Sequence, residues 1–448
     1  MGSSKLLGIT ALFSLSSVYN VEAASQKSPN VIVIMADDLG YNDLGFQGSS
    51  YIKTPNLDKL AYGGMIFTDA HVSASVCSPS RAGFITGRYQ QRFGHESNCP
   101  PHKFGLDNSV ITIADAMKKQ GYTTAVFGKW HLGEKDIYYP TKRGFDEFWG
   151  FRGGSRIYWY NNKKADSHKN CRRIEHNGKD VKFEGYLTDW LANTTVKFID
   201  KNKDKKFFIY LAFNAPHGPL QAKKEMIKKY KGNIYAAMIA SLDEGVGLVI
   251  DSLKRNNLLD NTMIWFLSDN GGIAKQSSNK PLKGTKGTLF EGGMRVPFFL
   301  YWNGVIKPGS KYNKMISSLD IFPTTINAVG GKVLPEWKLD GVNILPYILG
   351  KKKGSPDVKF AWRRSNTAAV RNGKWKLIRV DGKFLALYNV VDDLKEKHNC
   401  LREKPEMVSN LKKQLAKWEA QMKKPLWNEP AKWVKWRTVM HNKLVNEK

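Results

Sequence analysis

The stretch Cys77-Ser78-Pro79-Ser80-Arg81-Ala82-Gly83-Phe84-Ile85-Thr86-Gly87 sets a lone cysteine four residues before an arginine, where a short apolar segment begins. An arginine and the N-terminus of a helix both supply positive potential, which favours the thiolate form of a cysteine. These residues alone allow two interpretations of Cys77. It is either a reactive nucleophile or a half-buried free cysteine at a turn, and motifs elsewhere in the chain have to decide.

The two clearest strand patterns both end in oxygen-bearing side chains. Residues 31–35 and 263–267 are unbroken apolar runs, which are typical of strands buried on both faces of a parallel sheet. Open α/β sheets bind ligands at the carboxyl ends of such strands, and oxygen-rich clusters suit Ca²⁺ or Mg²⁺. The pattern predicts one cation held between the strand ends, and the alternative is two unrelated acidic turns. The residues concerned are Asp37 and Asp38 after the first run, and Asp269 and Asn270 after the second.

Other segments bring cations and histidines to strand ends and loops. Lys129 and His131 follow a predicted strand, and side chains two residues apart on an extended segment point the same way. His217 lies between two prolines, which suits a positioned acid or base. Lys286 lies in a glycine-rich loop, with Lys283 as a competitor for the same role. Each also has a plainer interpretation, as a surface lysine or a packed histidine.

The pattern changes near residue 335. Residues 359–390 alternate and turn on Asn-Gly and Asp-Gly, which predicts an antiparallel meander. We therefore predict an α/β fold with a large, mostly parallel mixed sheet sandwiched by helices over residues 24–335. A small antiparallel sheet with a helix is predicted over residues 336–448. The predicted helix carries a packed apolar stripe of Met407, Leu411, Leu415, Trp418 and Met422.

The charge balance points to a polyanionic partner. The chain has 448 residues and a formal net charge of +30, which attracts polyanions in a salt-dependent manner. The sequence contains no zinc-finger spacing, RNA-recognition signature or basic heptad region, so we expect a sulfated polysaccharide rather than nucleic acid.

Residues 1–23 have the pattern of a signal peptide. Lys5 precedes a modest apolar core at residues 6–19, and Val21-Glu22-Ala23 fits a small-residue cleavage site. The core is short and serine-rich, and no later apolar run is long enough to span a bilayer. We expect an exported protein, periplasmic or secreted, without stable membrane insertion.

In order and spacing these motifs resemble the type I, formylglycine-dependent sulfatases of the alkaline phosphatase superfamily, and among them the polysaccharide sulfatases. The resemblance is carried by the 77–87 stretch, the two acidic pairs, Gly128-Lys129-Trp130-His131-Leu132-Gly133 and Pro216-His217-Gly218-Pro219. It implies an alkaline-phosphatase-like fold. It also implies that a maturation enzyme oxidises Cys77 to Cα-formylglycine, whose hydrated aldehyde is the nucleophile.

The resemblance also implies roles for individual residues. The metal ligands are Asp37, Asp38, Asp269, Asn270 and the modified Cys77, around Ca²⁺ with Mg²⁺ as the alternative. The catalytic residues are Cys77, Arg81, Lys129, His131, His217 and Lys286. Candidate substrate-binding residues are Ser155, Arg156 and Arg363. Arg156 belongs to a segment rich in cations and aromatic side chains, which either suits a sulfated glycan or is a basic surface insertion that packs its aromatic side chains inward. If Cys77 is modified, three cysteines remain, and Cys99–Cys171 is the predicted disulfide.

Together these expectations describe an enzyme that removes sulfate from a sulfated carbohydrate. Two alternatives stay open at this point. One is a phosphonate or phosphodiester hydrolase with the same modified cysteine, and the other is a non-catalytic polyanion-binding relative.

Overall fold

A ten-stranded mixed sheet forms the centre of the fold, in a computed structural model that describes residues 28–98, 102–160, 173–356 and 359–447. A second sheet of four antiparallel strands, β13 to β16, lies toward the C-terminus. The strands are β1 (Asn30–Ala36), β2 (Met65–Phe67), β3 (Ala70–His71), β4 (Thr123–Lys129), β5 (Glu147–Phe151), β6 (Glu175–His176), β7 (Lys179–Asp180), β8 (Phe207–Ala212), β9 (Thr262–Ser268), β10 (Phe298–Tyr301), β11 (Ser310–Tyr312), β12 (Ile316–Ser317), β13 (Lys359–Arg364), β14 (Thr367–Asn372), β15 (Trp375–Val380) and β16 (Lys383–Asn389).

The central strands of the large sheet are parallel. The strand order is β11-β2-β10-β9-β1-β8-β4-β5-β6-β7. Strands β9, β1, β8, β4 and β5 run parallel to one another, and the flanking strands β10 and β6 are antiparallel to β9 and β5. The carboxyl ends of β1, β9, β8 and β4 therefore lie along one edge, which is where the sequence motifs predicted a ligand.

Strand β1 is buried on both faces, as its unbroken apolar run predicted. Ile32 and Ile34 pack into one hydrophobic core, whereas Val31 and Val33 pack into another on the opposite face. This division follows from the period of two along a strand. The two-layered core confirms that helices cover both faces of the sheet.

The helices complete these layers. Helices α1, α4 and α6 contribute to the first core, and α2, α3 and α8 contribute to the second. The helices of the described residues are α1 (Pro55–Tyr62), α2 (Cys77–Thr86), α3 (Ile113–Lys119), α4 (Leu187–Lys201), α5 (Lys224–Lys229), α6 (Ile234–Arg255), α7 (Glu291–Met294), α8 (Ile321–Ala328), α9 (Leu345–Ile348), α10 (Pro405–Glu419) and α11 (Ala431–Asn446).

The four-stranded sheet is the predicted meander, and it packs on both of its faces. One face buries Leu377 and Leu387 against Leu411 and Leu415 of α10. The other face buries Trp362 in a cluster that includes Leu289 and Phe290 of the large part of the fold. The small sheet is thus packed directly against the loop that carries Lys286.

Several of the sequence predictions concern residues or boundaries that these strands and helices do not test. The signal peptide (residues 1–23), Cys99 and Cys171 lie outside the described residues, and the boundary at residues 335–336 stays a prediction. Of the described cysteines, Cys77 and Cys400 are both free and buried. A search of the described helices finds none with the length and apolar character needed to cross a membrane.

Candidate active site

Three carboxylates and an amide meet at the ends of β1 and β9. The backbone N–H of Asp38 donates to Oδ1 of Asp269 at 3.2 Å, and Nδ2 of Asn270 donates to Oδ1 of Asp38 at 2.7 Å. Asp37, Asp38 and Asp269 are almost fully buried. The parallel pairing of β1 with β9 produces this meeting, because it aligns Ala36 with Ser268 immediately before the two acidic pairs.

Cys77 occupies the first position of α2, next to these carboxylates. Its Sγ lies 3.4 Å from Oδ1 of Asp37, 3.8 Å from Oδ1 of Asp38 and 3.3 Å from Nζ of Lys286. The side chain is 1% exposed. Burial and the carboxylate of Asp269 raise the pKa of the thiol, but Lys129 and Lys286 outweigh them and the net pKa is lowered. Residue 77 is therefore set among charges that favour an anion.

Arg81, one turn further along α2, ties the helix to the strand ends. Its Nε donates to Oδ2 of Asp269 at 2.9 Å, and its Nη1 donates to the hydroxyl of Tyr210 at 3.2 Å. Its Nη2 lies 3.7 Å from Oδ1 of Asp37. The spacing of four residues in the motif puts Arg81 on the same helix face as Cys77.

Two lysines approach the acidic cluster from different elements. Lys129, at the end of β4, donates from Nζ to Oδ2 of Asp37 at 2.6 Å. Lys286 donates to Oδ2 of Asp38 at 2.7 Å. Burial opposes ionisation of Asp38, yet the ammonium of Lys286 holds the pKa of that carboxyl well below its usual value. Lys283 instead donates to the backbone oxygen of Leu444 at 2.9 Å, so Lys286 is the lysine of this loop that reaches Cys77.

His217 faces the same carboxylates from the loop after β8. Its Nε2 lies 3.6 Å from Oδ2 of Asp38, and its Nδ1 lies 2.6 Å from the carbonyl oxygen of Gly218. The hydroxyl of Tyr158 donates to the carbonyl oxygens of Asn214 and His217 at 2.6 and 2.8 Å, which fixes the loop. Burial lowers the pKa of His217, but Asp37 and Asp38 outweigh it and raise that pKa to about 9. This histidine is therefore charged near neutral pH.

His131 has the opposite electrostatic character. Burial lowers its pKa well below the usual value, and the positive charges of Lys129, Arg81, His217 and Lys286 lower it further. Its Nδ1 is buried without a hydrogen-bond partner. A neutral imidazole with a free nitrogen accepts a proton, so the cluster contains one charged and one neutral histidine.

The donor set fits a divalent cation. Oδ1 of Asn270 is a buried oxygen without a hydrogen-bond partner. Burial and the neighbouring Asp37 raise the pKa of Asp269 to about 6, and burial raises the pKa of Asp37 although Lys129 opposes it. Raised pKa values show that nearby positive charge does not fully offset the burial and mutual repulsion of these carboxylates. Oxygen donors of this kind suit Ca²⁺ or Mg²⁺, and Asp37, Asp38, Cys77 and His217 offer ligand atoms within 4.8 Å of one another.

Comparison with known proteins places the chain in one family. Residues 29–331 match the family model described as Sulfatase, and residues 285–421 match the model described as N-sulphoglucosamine sulphohydrolase, C-terminal. The chain belongs to the sulfatase family. The resemblance seen in the sequence is thereby confirmed, and the protein is an enzyme that hydrolyses sulfate esters.

Curated relatives of this sulfatase cover most of its length. It is 32% identical over 390 residues to mouse N-acetylgalactosamine-6-sulfatase, with 82% of this chain and 74% of the relative covered. It is 31% identical over 401 residues to the uncharacterized sulfatase YdeN of Escherichia coli K12, with 76% and 70% covered.

Solved structures agree with the fold. Ps i-CgsB, crystallised in complex with k-i-k-neocarrahexaose, is 37% identical with a TM-score of 0.86, and 94% of this sulfatase and 100% of that chain are covered. The PsFucS1 sulfatase from Pseudoalteromonas sp. is 25% identical with a TM-score of 0.77, with 92% and 93% covered. These neighbours confirm the alkaline-phosphatase-like fold predicted for this sulfatase.

The three predicted substrate-binding residues lie in different surroundings. Ser155 is half-buried and follows Gly154, which packs against the ring of His131 so closely that a Cβ there would lie 2.5 Å from Nε2. Arg156 is buried, with its guanidinium 5.1 Å from the centre of the Phe183 ring. Arg363 forms an ion pair with Glu96. Ser155 is thus next to the cluster, and both arginines are engaged by protein groups.

Arg364 is a residue of this sulfatase that the sequence motifs did not indicate. It is buried, pairs with Glu429, and lies beside Gly287, where a Cβ would be 3.4 Å from its Nη1. Burial and Arg437 lower the pKa of Arg364 to about 10, while negative charge on Cys77 acts to raise it. Arg364 is therefore within electrostatic range of Cys77. The sequence feature that could have indicated this residue is its position directly after Arg363.

Proposed function

We propose that this sulfatase removes sulfate from a sulfated carbohydrate, using a formylglycine made from Cys77 and a divalent cation. The observation that carries the proposal is the surroundings of Cys77. Its Sγ is in contact with two carboxylates and a lysine, and Arg81, on the same helix, bonds to the third carboxylate. A structural cysteine does not need such surroundings, whereas a nucleophile acting on an anionic ester does.

The fixed positive charges account for recognition of the sulfuryl group. Lys129 pairs with Asp37, Lys286 pairs with Asp38, and Arg81 contacts Asp37 and Asp269. Cations held in place before reaction stabilise charge that develops on sulfuryl oxygens, without reorganisation cost.

The two histidines divide the proton transfers. His217, charged and partly exposed at 22%, is placed to protonate the departing sugar oxygen. His131, neutral and buried, is placed to accept a proton from a hydroxyl at residue 77. Opposite pKa shifts on two nearby groups are the pattern expected of an acid and a base.

A cation and the modified side chain supply the rest of the chemistry. Asp37, Asp38, Asp269, Asn270 and residue 77 would hold Ca²⁺, with Mg²⁺ as the alternative. Such an ion polarises a sulfuryl oxygen, and hydrated formylglycine provides an oxygen nucleophile.

A sulfated oligosaccharide or polysaccharide is the proposed substrate. The net charge of +30 favours a polyanion over a small aryl sulfate. The relative Ps i-CgsB was crystallised with k-i-k-neocarrahexaose, which supports a glycan of several units. The predicted signal peptide supports export to the periplasm or the medium, which N-terminal sequencing of the exported protein tests by a start at Ala24.

The central experiment is mass spectrometry of the peptide that contains Cys77, combined with turnover. We expect the mass of formylglycine when the protein is made with a formylglycine-generating enzyme, and the thiol mass with almost no activity without it. Cys400→Ala is the matched control, because Cys400 is the other free buried cysteine of the described residues. Full turnover by Cys77→Ala would refute the mechanism. Faster hydrolysis of phosphonate esters than of every sulfate ester tested would favour the rival activity.

A further inference from the structure

The last helix of the chain packs against the loop that carries Lys286. The backbone N–H of Leu289 donates to Nε2 of His441 at 3.0 Å, and Nζ of Lys283 donates to the carbonyl oxygen of Leu444 at 2.9 Å. These bonds join both ends of the 283–289 loop to α11. The helix is therefore a fixed part of the active-site surroundings rather than a loose tail.

Trp436 connects this helix to the catalytic cluster. A Cβ on Gly287 would lie 3.0 Å from the Trp436 ring, so the indole covers the backbone of Gly287. Gly287 follows Lys286, whose Nζ is 3.3 Å from Sγ of Cys77. Trp436 thus packs on the residue next to the lysine that contacts Cys77.

A second tryptophan and two lysines extend the surface outward. Trp433 is 49% exposed, and its ring centre is 6.4 Å from that of Trp436 at an interplanar angle of 81°. Nζ of Lys432 lies 5.5 Å from the centre of the Trp433 ring, and Lys435 is exposed. The sequence of α11 contains no acidic residue. Helix α11 therefore combines aromatic side chains with charged side chains that are all positive.

Core packing does not account for Trp433. The buried residues of α11 are Arg437, His441 and Leu444, which lie in its later turns. An indole with half of its surface in water retains an apolar face that another molecule can cover. The apolar face of a sugar ring fits an indole, and its sulfates are attracted by neighbouring ammonium groups.

We propose that Trp433, Trp436, Lys432 and Lys435 form a subsite for the sugar units adjacent to the one that is desulfated. The inference rests on the proposed function, since it extends the same site along a longer substrate. Continuity with Lys286 and complementary charge identify the occupant as further units of a sulfated glycan. The enzyme therefore selects oligosaccharides over monosaccharides at this helix.

Binding measured without turnover tests the subsite. The full chain carrying Cys77→Ala is titrated calorimetrically with k-i-k-neocarrahexaose and with a chondroitin sulfate hexasaccharide. We expect Trp433→Ala in this background to weaken the Kd of the tighter ligand about tenfold, which corresponds to about 1.4 kcal/mol. Trp433→Phe should retain most of the affinity. Val439→Ala, an exposed position of the same helix at 61%, is the matched control and should bind as the parent does.

The proposal is overturned if the parent binds neither hexasaccharide, or if Trp433→Ala binds as tightly as the parent. A kinetic measurement with the matured enzyme separates this outcome from failure of the proposed function. There we expect Trp433→Ala to lower about tenfold the ratio of kcat/KM for the hexasaccharide to kcat/KM for 4-nitrophenyl sulfate. An enzyme inactive on all sulfate esters would refute the proposed function, while the binding titration would still decide on the subsite.

Discussion

Lys283 and Lys286 lie three positions apart in one loop and make different contacts. Lys286 contacts Asp38 and Cys77, whereas Lys283 satisfies carbonyl oxygens at the C-terminal end of α11. A lysine at that end of a helix also interacts favourably with the helix dipole. In the proposed mechanism Lys286 acts on the substrate's charge, whereas Lys283 fixes the helix.

Replacing each lysine separately should reveal this division. We expect Lys286→Ala to lower kcat/KM for a sulfate ester by about a hundredfold or more, the effect typical of losing one preorganised charge contact. Lys283→Ala should lower the free energy of unfolding by about 1 kcal/mol and alter turnover only a few-fold. Steady-state kinetics and urea unfolding measure the two effects. Equal losses of activity in both variants would contradict the assignment.

The acidic cluster makes a prediction about metal binding. Because Asp37 and Asp269 have raised pKa values and Asn270 has an unpaired oxygen, a bound cation should stabilise the fold. Adding Ca²⁺ at about a hundred times its Kd to chelator-treated protein should stabilise it by about 2.7 kcal/mol.

Thermal unfolding with and without Ca²⁺ measures this stabilisation. Asp38→Asn should abolish the shift in Tm. Asp43→Asn, which removes a nearby buried carboxylate bonded to Tyr235 and Ser278, should keep it. A Tm that Ca²⁺ leaves unchanged in the wild type would contradict the metal site.

At the residue scale, the sequence predicted which groups meet but not every orientation. Cys77, Lys129 and the acidic pairs lie in motifs at strand or helix ends, where local sequence fixes direction, and Lys286 lies in a glycine-rich loop. Arg363 and Arg364 differ, because alternate residues of a strand face opposite ways and the sequence does not tell which face is turned to the site. Only the packing of the small sheet decides that Arg364 lies beside Gly287 and Arg363 beside Glu96.

Among the elements, α11 is one that the sequence pattern did not predict. Unbroken apolar runs predict strands β1 and β9, and an apolar stripe at helical spacing predicts α10. The buried face of α11 is instead partly polar, since Arg437 and His441 are both fully buried there. Because polar residues occupy part of the buried face, apolar spacing alone does not show which face of such a helix is buried.

His441 makes the attachment of α11 sensitive to acid. Its Nε2 accepts from Leu289, and its Nδ1 lies 2.8 Å from the carbonyl oxygen of Arg437, so a proton added at Nε2 would break the bond to Leu289. Burial lowers the pKa of His441 from 6.5 to about 4. Below about pH 6.5 the unfolded chain takes up a proton that the folded chain does not, and stability falls.

The expected size of this effect is about 2 kcal/mol at pH 5 relative to pH 7. Urea unfolding at the two pH values measures it in the wild type and in His441→Gln, whose amide oxygen can accept from Leu289. The substitution should remove about 2 kcal/mol of the pH dependence. His398→Gln, an exposed histidine, should leave the pH dependence as it is, and a His441→Gln profile parallel to the wild type would contradict the argument.

For the whole molecule, the excess of positively charged side chains affects the rate at which anionic substrates associate. The formal net charge of the entire chain is +30, so it attracts a polyanion over a distance. Salt shortens that distance from about 10 Å at 0.1 M to about 3 Å at 1 M. Fixed contacts inside the buried site are screened much less.

Raising NaCl from 0.05 to 0.5 M should therefore lower kcat/KM for a sulfated polysaccharide by about tenfold or more, through the association step. The same change should lower kcat/KM for 4-nitrophenyl sulfate far less, because a single charge is steered weakly. Initial rates at low substrate concentration measure both. Equal salt dependence of the two substrates would refute long-range attraction as the basis of substrate preference.

The burial of Cys77 has a consequence for the timing of biosynthesis. Its side chain is 1% exposed, and Asp37, Asp38 and Lys286, which are far apart in the sequence, all contact it. A modifying enzyme has little access to a thiol enclosed in this way. If Cys77 is converted to formylglycine as proposed, we expect the oxidation to precede closure of these segments around it, and a chain that folds first would keep the thiol.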